Sequence, residues 1–423
     1  MSKIDELIQQ YCPNGVEWKA IESITKSICS GLNPRKNFTL NTSGANCNYL
    51  TVKEMASGKI IFSNKTDKIT KEAVDIIQNR SRLEIDDILL SGIGTIGKVA
   101  IVDIPIGDWN CSESVLLLKP NQSLVVPKYL KYILESNMVQ TYFNIHAMGS
   151  TLKGIRQKDL LSLEIPVPPL PVQEEIVKIL DRFAEYAAEL QAELQARQQQ
   201  YEYYRDMLLS FNEIGGGQAR WLKMSEIGTF YGGLTGKTKS DFGNGSDRFI
   251  TYMNVYSNMA VNLDFYDTVK INKGERQNRV EFGDIIFTGS SENLEESGLS
   301  SVITQNVDTD YFLNSFCFGF RLNNKSLLLP DFSKHLFRSK QMRKQILQCA
   351  SGVTRFNISK KRMEKVSVPI PNIIYQQYVA SILDKFHTLV NDLSQGLPAE
   401  IEARQKQYEY YRDQLLTFKR KDA

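Results

Sequence analysis

Gly92-Ile93-Gly94-Thr95-Ile96-Gly97 has the G-x-G-x-x-G spacing that cradles a dinucleotide pyrophosphate, and with Lys98-Val99 it also imitates a kinase glycine loop. The first chemistry needs a helix straight after the glycines and an acidic residue about 20 positions on. Here another strand-like run follows (KVAIV), so the glycines read as a hairpin turn. No H-R-D or D-F-G element accompanies the kinase-like version. Three histidines, His146, His335 and His387, stand isolated; His335 falls in an amphipathic helix and His387 beside an apolar seam, so both read as structural. Six cysteines (12, 29, 47, 111, 317, 349) lack C-x-x-C spacing and read as reduced thiols, neither a metal site nor a disulfide frame. An Asn-Pro-Pro-aromatic motif for amino-methyl transfer is absent, as is a compact nuclease cluster of acids and lysine. The expectation is a chain with no catalytic residues, no metal and no cofactor of its own.

The elements that carry these residues occur twice. Residues 196–211 (ARQQQYEYYRDMLLSF) and 403–418 (ARQKQYEYYRDQLLTF) are identical at 13 of 16 positions. Upstream, Trp18 and Trp221, Pro127 and Pro330, Gly149 and Gly352, Thr151 and Thr354, Pro166 and Pro369, and Gln173 and Gln376 are all 203 apart. The offset becomes 207 by Ala196/Ala403, so the second copy holds four extra residues. Self-similarity of this kind fixes the architecture before any local reading: two tandem halves, each a globular part followed by a long helix. Gly289-Ser290-Ser291-Glu292, the second-half counterpart of the glycine motif, lacks its spacing.

In the first helix, apolar residues recur in steps of four and three from Ile176 through Leu180, Phe183, Leu190 and Leu194 to Phe211, with Arg197 filling one slot. This is a heptad seam and argues for a coiled coil. The second seam runs through Val379, Leu383, Phe386 and Leu397 to Phe418, with Arg404 in the polar slot. Two steps of four meet at Leu397, a stutter. Gly396 and Pro398 flank it, which predicts a break with Pro398 as the first residue of the next helix. Arg197 and Arg404 read as residues that set the register.

Hydrophobic content of 42% and charged content of 23% are ordinary for a soluble protein, and 423 residues allow two or three domains. The first residues lack the apolar core of a signal peptide and no apolar run reaches membrane-spanning length, so a cytoplasmic protein is expected. Net charge is +3, but residues 172–211 carry −4 and residues 375–418 carry −2, leaving +9 elsewhere. Basic globular parts on acidic helices suit anion-binding domains on a spacer. Strand-like runs fall at 49–52, 87–90, 98–102 and 114–118, and again at 249–252, 284–287 and 316–320; helical signals fall at 127–138, 157–162 and 330–349. Stiff connectors, Ile165-Pro166-Val167-Pro168-Pro169-Leu170-Pro171 and Val368-Pro369-Ile370-Pro371, enter the two helices.

Those connectors, their continuations Val172-Gln173-Glu174-Glu175-Ile176 and Ile382-Leu383-Asp384-Lys385-Phe386, the two YEYYRD segments, and Asp87-Ile88-Leu89 with Asp284-Ile285-Ile286 carry a resemblance. The sequence resembles the specificity (S) subunit of type I restriction-modification enzymes over essentially its whole length. One departure is Ile373-Ile374-Tyr375, where the second copy lacks the usual Pro-Leu-x-Glu-Gln wording. The resemblance implies a non-catalytic reader of bipartite double-stranded DNA. It also implies two methyltransferase (M) subunits and motor-nuclease (R) subunits as partners, to which ATP, S-adenosylmethionine and Mg²⁺ belong. The implied parts are a first target recognition domain (1–165), a central spacer helix (166–211), a linker (212–220), a second recognition domain (221–368), a C-terminal spacer helix (369–418) and a tail (419–423).

Geometry leads to an α+β fold in which the two helices run antiparallel. A helix of about 40 residues is about 60 Å long, whereas linker 212–220 spans at most roughly 30 Å. An antiparallel pair needs no return path, and it relates the mixed α/β halves by an approximate twofold axis. DNA contacts are expected from polar and basic residues in matched loops: Lys53, Ser91, Thr95, Lys98, Thr151 and Lys153 in the first half, and Asn254, Ser290, Ser291, Thr354, Arg355 and Asn357 in the second. Thr151 and Thr354 also suit helix or turn caps. Two rival classes are a stand-alone methyltransferase or nuclease, which the missing catalytic motifs oppose, and a scaffold binding only protein, which the basic excess opposes.

Overall fold

The computed structural model describes residues 3–149, 153–211, 219–392 and 396–421. The chain forms two compact units, one of Met1–Leu190 with Ile401–Ala423, the other of Gln191–Glu400. Most of the expected linker, residues 212–218, lies outside the described residues, and positions 219 and 220 already begin a strand.

The two units share one topology. In the first, a four-stranded antiparallel sheet has the order Thr25–Ser30, Val115–Pro120, Ile88–Ser91, Val99–Ile101. In the second, the order is Gly228–Gly232, Cys317–Leu322, Ile285–Thr288, Ser300–Val302. Strand side chains alternate between faces. Ile88, Leu90 and Leu118 therefore join the helix-covered core of the first unit, while Leu89, Leu117 and Val115 join a separate cluster with Leu50 and Trp109. Burial on both faces explains the continuous apolar run Ile88-Leu89-Leu90. A smaller mixed sheet also recurs: Cys47–Leu50 runs parallel to Trp109–Cys111, and Phe242–Ile250 parallel to Tyr311–Leu313.

A two-stranded clasp closes each globular region. Trp18 lies opposite Pro166 and Trp221 opposite Pro369, which accounts for both repeated pairs. Gln173 and Gln376 are fully buried at the starts of the helices that follow. Gln173 accepts from the Val126 N–H and donates to the Leu124 and Pro168 carbonyls; Gln376 accepts from the Leu329 N–H and donates to those of Leu327 and Pro371.

The single helices expected at 127–138 and 330–349 are each two. Pro127–Glu135 is followed by Asn137–His146, and Pro330–Leu336 by Lys340–Leu347. Ser136 and Ser339 cause the breaks: each takes an extended conformation and caps the next helix, accepting from Val139 and Met342 respectively.

Leu170–Leu208 is one 39-residue helix. The second long segment divides into Ile373–Asn391 and Leu397–Leu415, a break where Gly396 and Pro398 predicted it, although Leu397 precedes Pro398 as the first helical residue. Residues 393–395 lie outside the described residues. Within each unit two helical stretches pack antiparallel. In the first, Phe183 stacks on Tyr411 at 5.6 Å and the Arg404 guanidinium lies 5.4 Å from the Tyr186 ring. In the second, Phe386 stacks on Tyr204 at 5.6 Å, and the Tyr375 hydroxyl donates to the Leu208 carbonyl at 2.8 Å. Of the seam, Ile176, Leu180, Leu190, Val379, Leu383 and Leu397 are buried; Phe183, Leu194, Arg197 and Phe386 are half-buried, and Arg404 is exposed. Arg197 bonds Gln200 at 2.9 Å and Glu193 at 3.4 Å on its own helix.

Candidate nucleic-acid interface

The glycine motif closes a hairpin. Ile88–Ser91 and Val99–Ile101 are antiparallel neighbours, and the Ser91 hydroxyl, fully buried, accepts from the Lys98 N–H at 2.8 Å. Gly94 and Gly97 hold φ of 81° and 86°, a region that glycine enters without Cβ strain. Strand follows the loop instead of helix, so no pyrophosphate cradle forms.

The loop is then tied to a distant segment. The Gly94 N–H donates to the Lys153 carbonyl at 2.8 Å and the Ile155 N–H to the Gly92 carbonyl at 3.0 Å, while Met148 and Gly154 exchange backbone bonds. The Lys98 ammonium donates to the Val52 carbonyl at 3.2 Å, which brings in Lys53 on the short turn capped by Thr51. Lys53, Thr95, Lys98 and Lys153 are all exposed. Lys98, Lys153 and Thr95 thus share one ladder, and Lys53 follows the residue that the Lys98 ammonium bonds. Thr151 lies outside the described residues.

The second unit repeats the ladder. Ser290 pairs with Asn357 and Ser291 with Phe356, Ser351 pairs with Asn357 across the hairpin, and the Ile358 N–H donates to the Gly289 carbonyl at 2.9 Å. Thr354, Arg355 and Asn357 are exposed, and the Arg355 guanidinium lies 5.3 Å from the Phe316 ring. Ser290 and Ser291 are largely buried at the ladder's edge; Ser291 caps Asn293, and the Ser290 hydroxyl has no protein partner. Asn254 is placed differently. It is fully buried, its amide donating to the Asn262 and Phe265 carbonyls and accepting from Asn258 and the Asn262 N–H. Those bonds, like that of Ser91, face into the protein.

Two residues outside the polar selection join the second ladder. Val353 at the hairpin tip is 91% exposed and Phe316 is 52% exposed. The repeated Gly149/Gly352 pair was the signal for Val353: both glycines hold positive φ, 123° and 139°. Among the described residues no group of three or more His, Cys, Asp or Glu could hold a metal ion, and no helix is long and apolar enough to cross a membrane. The free cysteines are buried except the half-buried Cys29.

Comparison with known proteins supplies a family. The family model described as the type I restriction modification DNA specificity domain matches residues 13–197 and again 222–403. The specificity subunit of the Escherichia coli type I restriction enzyme EcoR124I/EcoR124II is 35% identical over 266 residues, covering 60% of this chain and 63% of that protein. A putative type I restriction enzyme specificity subunit of Haemophilus influenzae is 31% identical over 291 residues, covering 64% and 68%. A chain from the solved structure described as "Structural basis underlying complex assembly and conformational transition of the type I R-M system" matches the fold with a TM-score of 0.65 at 16% identity, covering 96% of this chain and 98% of that one.

Proposed function

Because this chain belongs to the type I restriction-modification DNA specificity family, with two matched domains, we propose that it is the non-catalytic specificity subunit of such a system, each globular region reading one half of a bipartite DNA target. The observation that carries this reading is the duplicated ladder. Each unit presents an exposed cation on the same loop-and-hairpin framework, Lys153 in one and Arg355 in the other, while side chains at equivalent positions differ: Lys153 and Gly154 in one copy stand where Phe356 and Asn357 stand in the other. A common framework bearing different side chains suits two different half-sites. Cations set affinity through phosphates, and groups at the base edges set sequence.

The helices form the other half of the proposal. Residues 166–211 and 369–418 act as a spacer between recognition regions 1–165 and 221–368, and they dock two methyltransferase subunits, with motor-nuclease subunits completing a cytoplasmic assembly. Support comes from Tyr203 and Tyr410, at matching places in the two YEYYRD segments and 65% and 61% exposed. Paired exposed aromatics in identical surroundings suit two copies of one partner. Exchanging residues 1–165 for the equivalent region of a relative, in a host carrying the whole operon, changes one half-site of the methylated sequence and leaves the other alone. A change at both half-sites contradicts independent reading, and methylation by the isolated chain contradicts a non-catalytic role.

A further inference from the structure

In each unit the helix behind the ladder loop sends one hydrogen-bonding side chain to it, beside the Tyr252 hydroxyl that also donates to the Ser290 carbonyl in the second. In the first, the Gln140 amide donates to the Gly97 carbonyl at 2.9 Å. In the second, Arg343 donates to the Gly298 carbonyl at 2.6 Å, to that of Ser297 at 2.7 Å and to that of Glu295 at 2.9 Å. Gln140 and Arg343 occupy the same place, the first turn of the helices Asn137–His146 and Lys340–Leu347. Gly97 and Gly298 also correspond: each has positive φ, 86° and 63°, and each precedes the residue whose carbonyl accepts from the hairpin strand, Lys98 to Ser91 and Leu299 to Thr288. A Cβ on Gly97 would lie 2.4 Å from the Gln140 oxygen, and one on Gly298 would lie 2.7 Å from the Ile346 side chain. Both loops therefore close hard against this helix.

The second loop is longer, from Gly289 to Gly298, and includes a short turn at Leu294–Glu296. Its connection places Glu292, Asn293, Leu294 and Glu295 in solvent. Such a loop has many conformations to lose on binding DNA. Three charge-assisted bonds from one planar guanidinium fix the carbonyls of 295, 297 and 298 relative to the helix, and the rigid fork of arginine suits that better than a lysine ammonium. Among the described residues, the hydrogen-bond partners of Arg343 are these loop carbonyls and no carboxylate.

We propose that Arg343 is a positioning residue for sequence readout: it holds loop 289–298 in the shape that reads the second half-site, and Gln140 does the same with one bond for loop 92–97. This rests on the reading of the ladders as DNA-recognition surfaces. Because the second loop is longer and held at three points, its specificity depends more on its clamp than that of the first.

The test uses the full operon in a host, with methylated adenines mapped genome-wide for R343M, R343K and Q140A, and for a loop variant carrying E292A and E295A. With R343M, discrimination at one or more positions of the second half-site drops roughly tenfold, the order of a single mismatched base pair, while the first half-site is unchanged. R343K restores part of it, and Q140A has a smaller effect confined to the first half-site. An unchanged motif in R343M beside an altered second half-site in the loop variant overturns the clamp and leaves the recognition reading standing. An unchanged motif in both overturns the reading of this loop as a reader. Loss of complex assembly in both R343M and R343K also overturns the proposal, since a residue that positions one loop leaves the assembly intact.

Discussion

The Asp206 carboxylate accepts a hydrogen bond from the Lys340 backbone N–H at 3.0 Å. Asp413 makes the matching bond to the Asn137 N–H at 3.1 Å. Each YEYYRD segment thus ends on a carboxylate that caps the helix carrying the loop clamp. The first N–H groups of a helix have no intrahelical acceptor and sit at the positive end of its dipole, so a carboxylate there stabilises it.

Asp206→Ala is expected to destabilise the Lys340–Leu347 helix by about 1 kcal/mol, roughly a fivefold larger open population. Native-state hydrogen exchange at the amides of residues 340–344 measures it. Unaltered exchange there would show that Ser339 alone caps the helix.

Acid should weaken the second unit before the first. His335 is fully buried with Nε2 2.7 Å from Asp384 and Nδ1 3.2 Å from the Tyr201 hydroxyl. A neutral ring donating through Nε2 and accepting at Nδ1 satisfies both contacts. Burial outweighs the Asp384 hydrogen bond and lowers the His335 pKa from the ordinary 6.5, while burial and the neighbouring His335 push His387 down to about 4. Both folded values lie below the unfolded one, so this contribution to stability is complete above pH 6.5 and is lost as pH falls towards about 4. The first unit has Tyr132 in place of His335, bonded to Asp181 at 2.6 Å. His335→Tyr is expected to flatten the acid-side slope of the second unit, read by urea unfolding from pH 7 to 4.5; an unchanged slope would place the sensitivity elsewhere.

Charge reversal separates phosphate contact from structure. Lys153 and Arg355 are exposed on matched ladders. Lys153→Glu and Arg355→Glu should each weaken DNA binding by the assembled enzyme and lower the salt slope by about one per lost phosphate contact. Equal binding at moderate salt would remove the ladder from the interface.

The spacer admits a direct measurement. Gln195 is an exposed position within the continuous helix Leu170–Leu208. A second copy of Ala192-Glu193-Leu194-Gln195 inserted after Gln195 adds about one turn, about 6 Å. DNA rises about 3.4 Å per base pair. The unread gap between half-sites should therefore lengthen by one or two base pairs with the half-sites unchanged. Full activity at the original gap would mean that the helix is not the ruler.

Much of this fold was legible because duplication exposed what both copies need. Trp18/Trp221 and Gln173/Gln376 recur at one spacing because each fills the same closed geometry, a clasp or a set of three backbone bonds. The site was legible only in part. Residue type drew attention to Ser91 and Asn254, but a small polar side chain serves a buried network as readily as DNA, and burial is not written in sequence. The Gly97/Gly298 correspondence was hidden because the loops differ in length. Their clamps were hidden because Gln140 and Arg343 share neither size nor charge, only position.

The division of the chain has a consequence for its synthesis. The second unit, Gln191–Glu400, is contiguous, whereas the first joins Met1–Leu190 to Ile401–Ala423 across it. At ribosomal speeds the residues between take on the order of 10–40 s to make. Through that interval Phe183 and the buried face around Leu180 await Tyr408 and Tyr411. The near-identical segment 196–211 emerges first, yet it continues the same helix, and an unbroken helix does not fold back onto its own opening turns. The unit that holds Met1–Leu190 is therefore completed after the unit that follows it in the chain, and helix continuity guards its open face until the proper segment arrives.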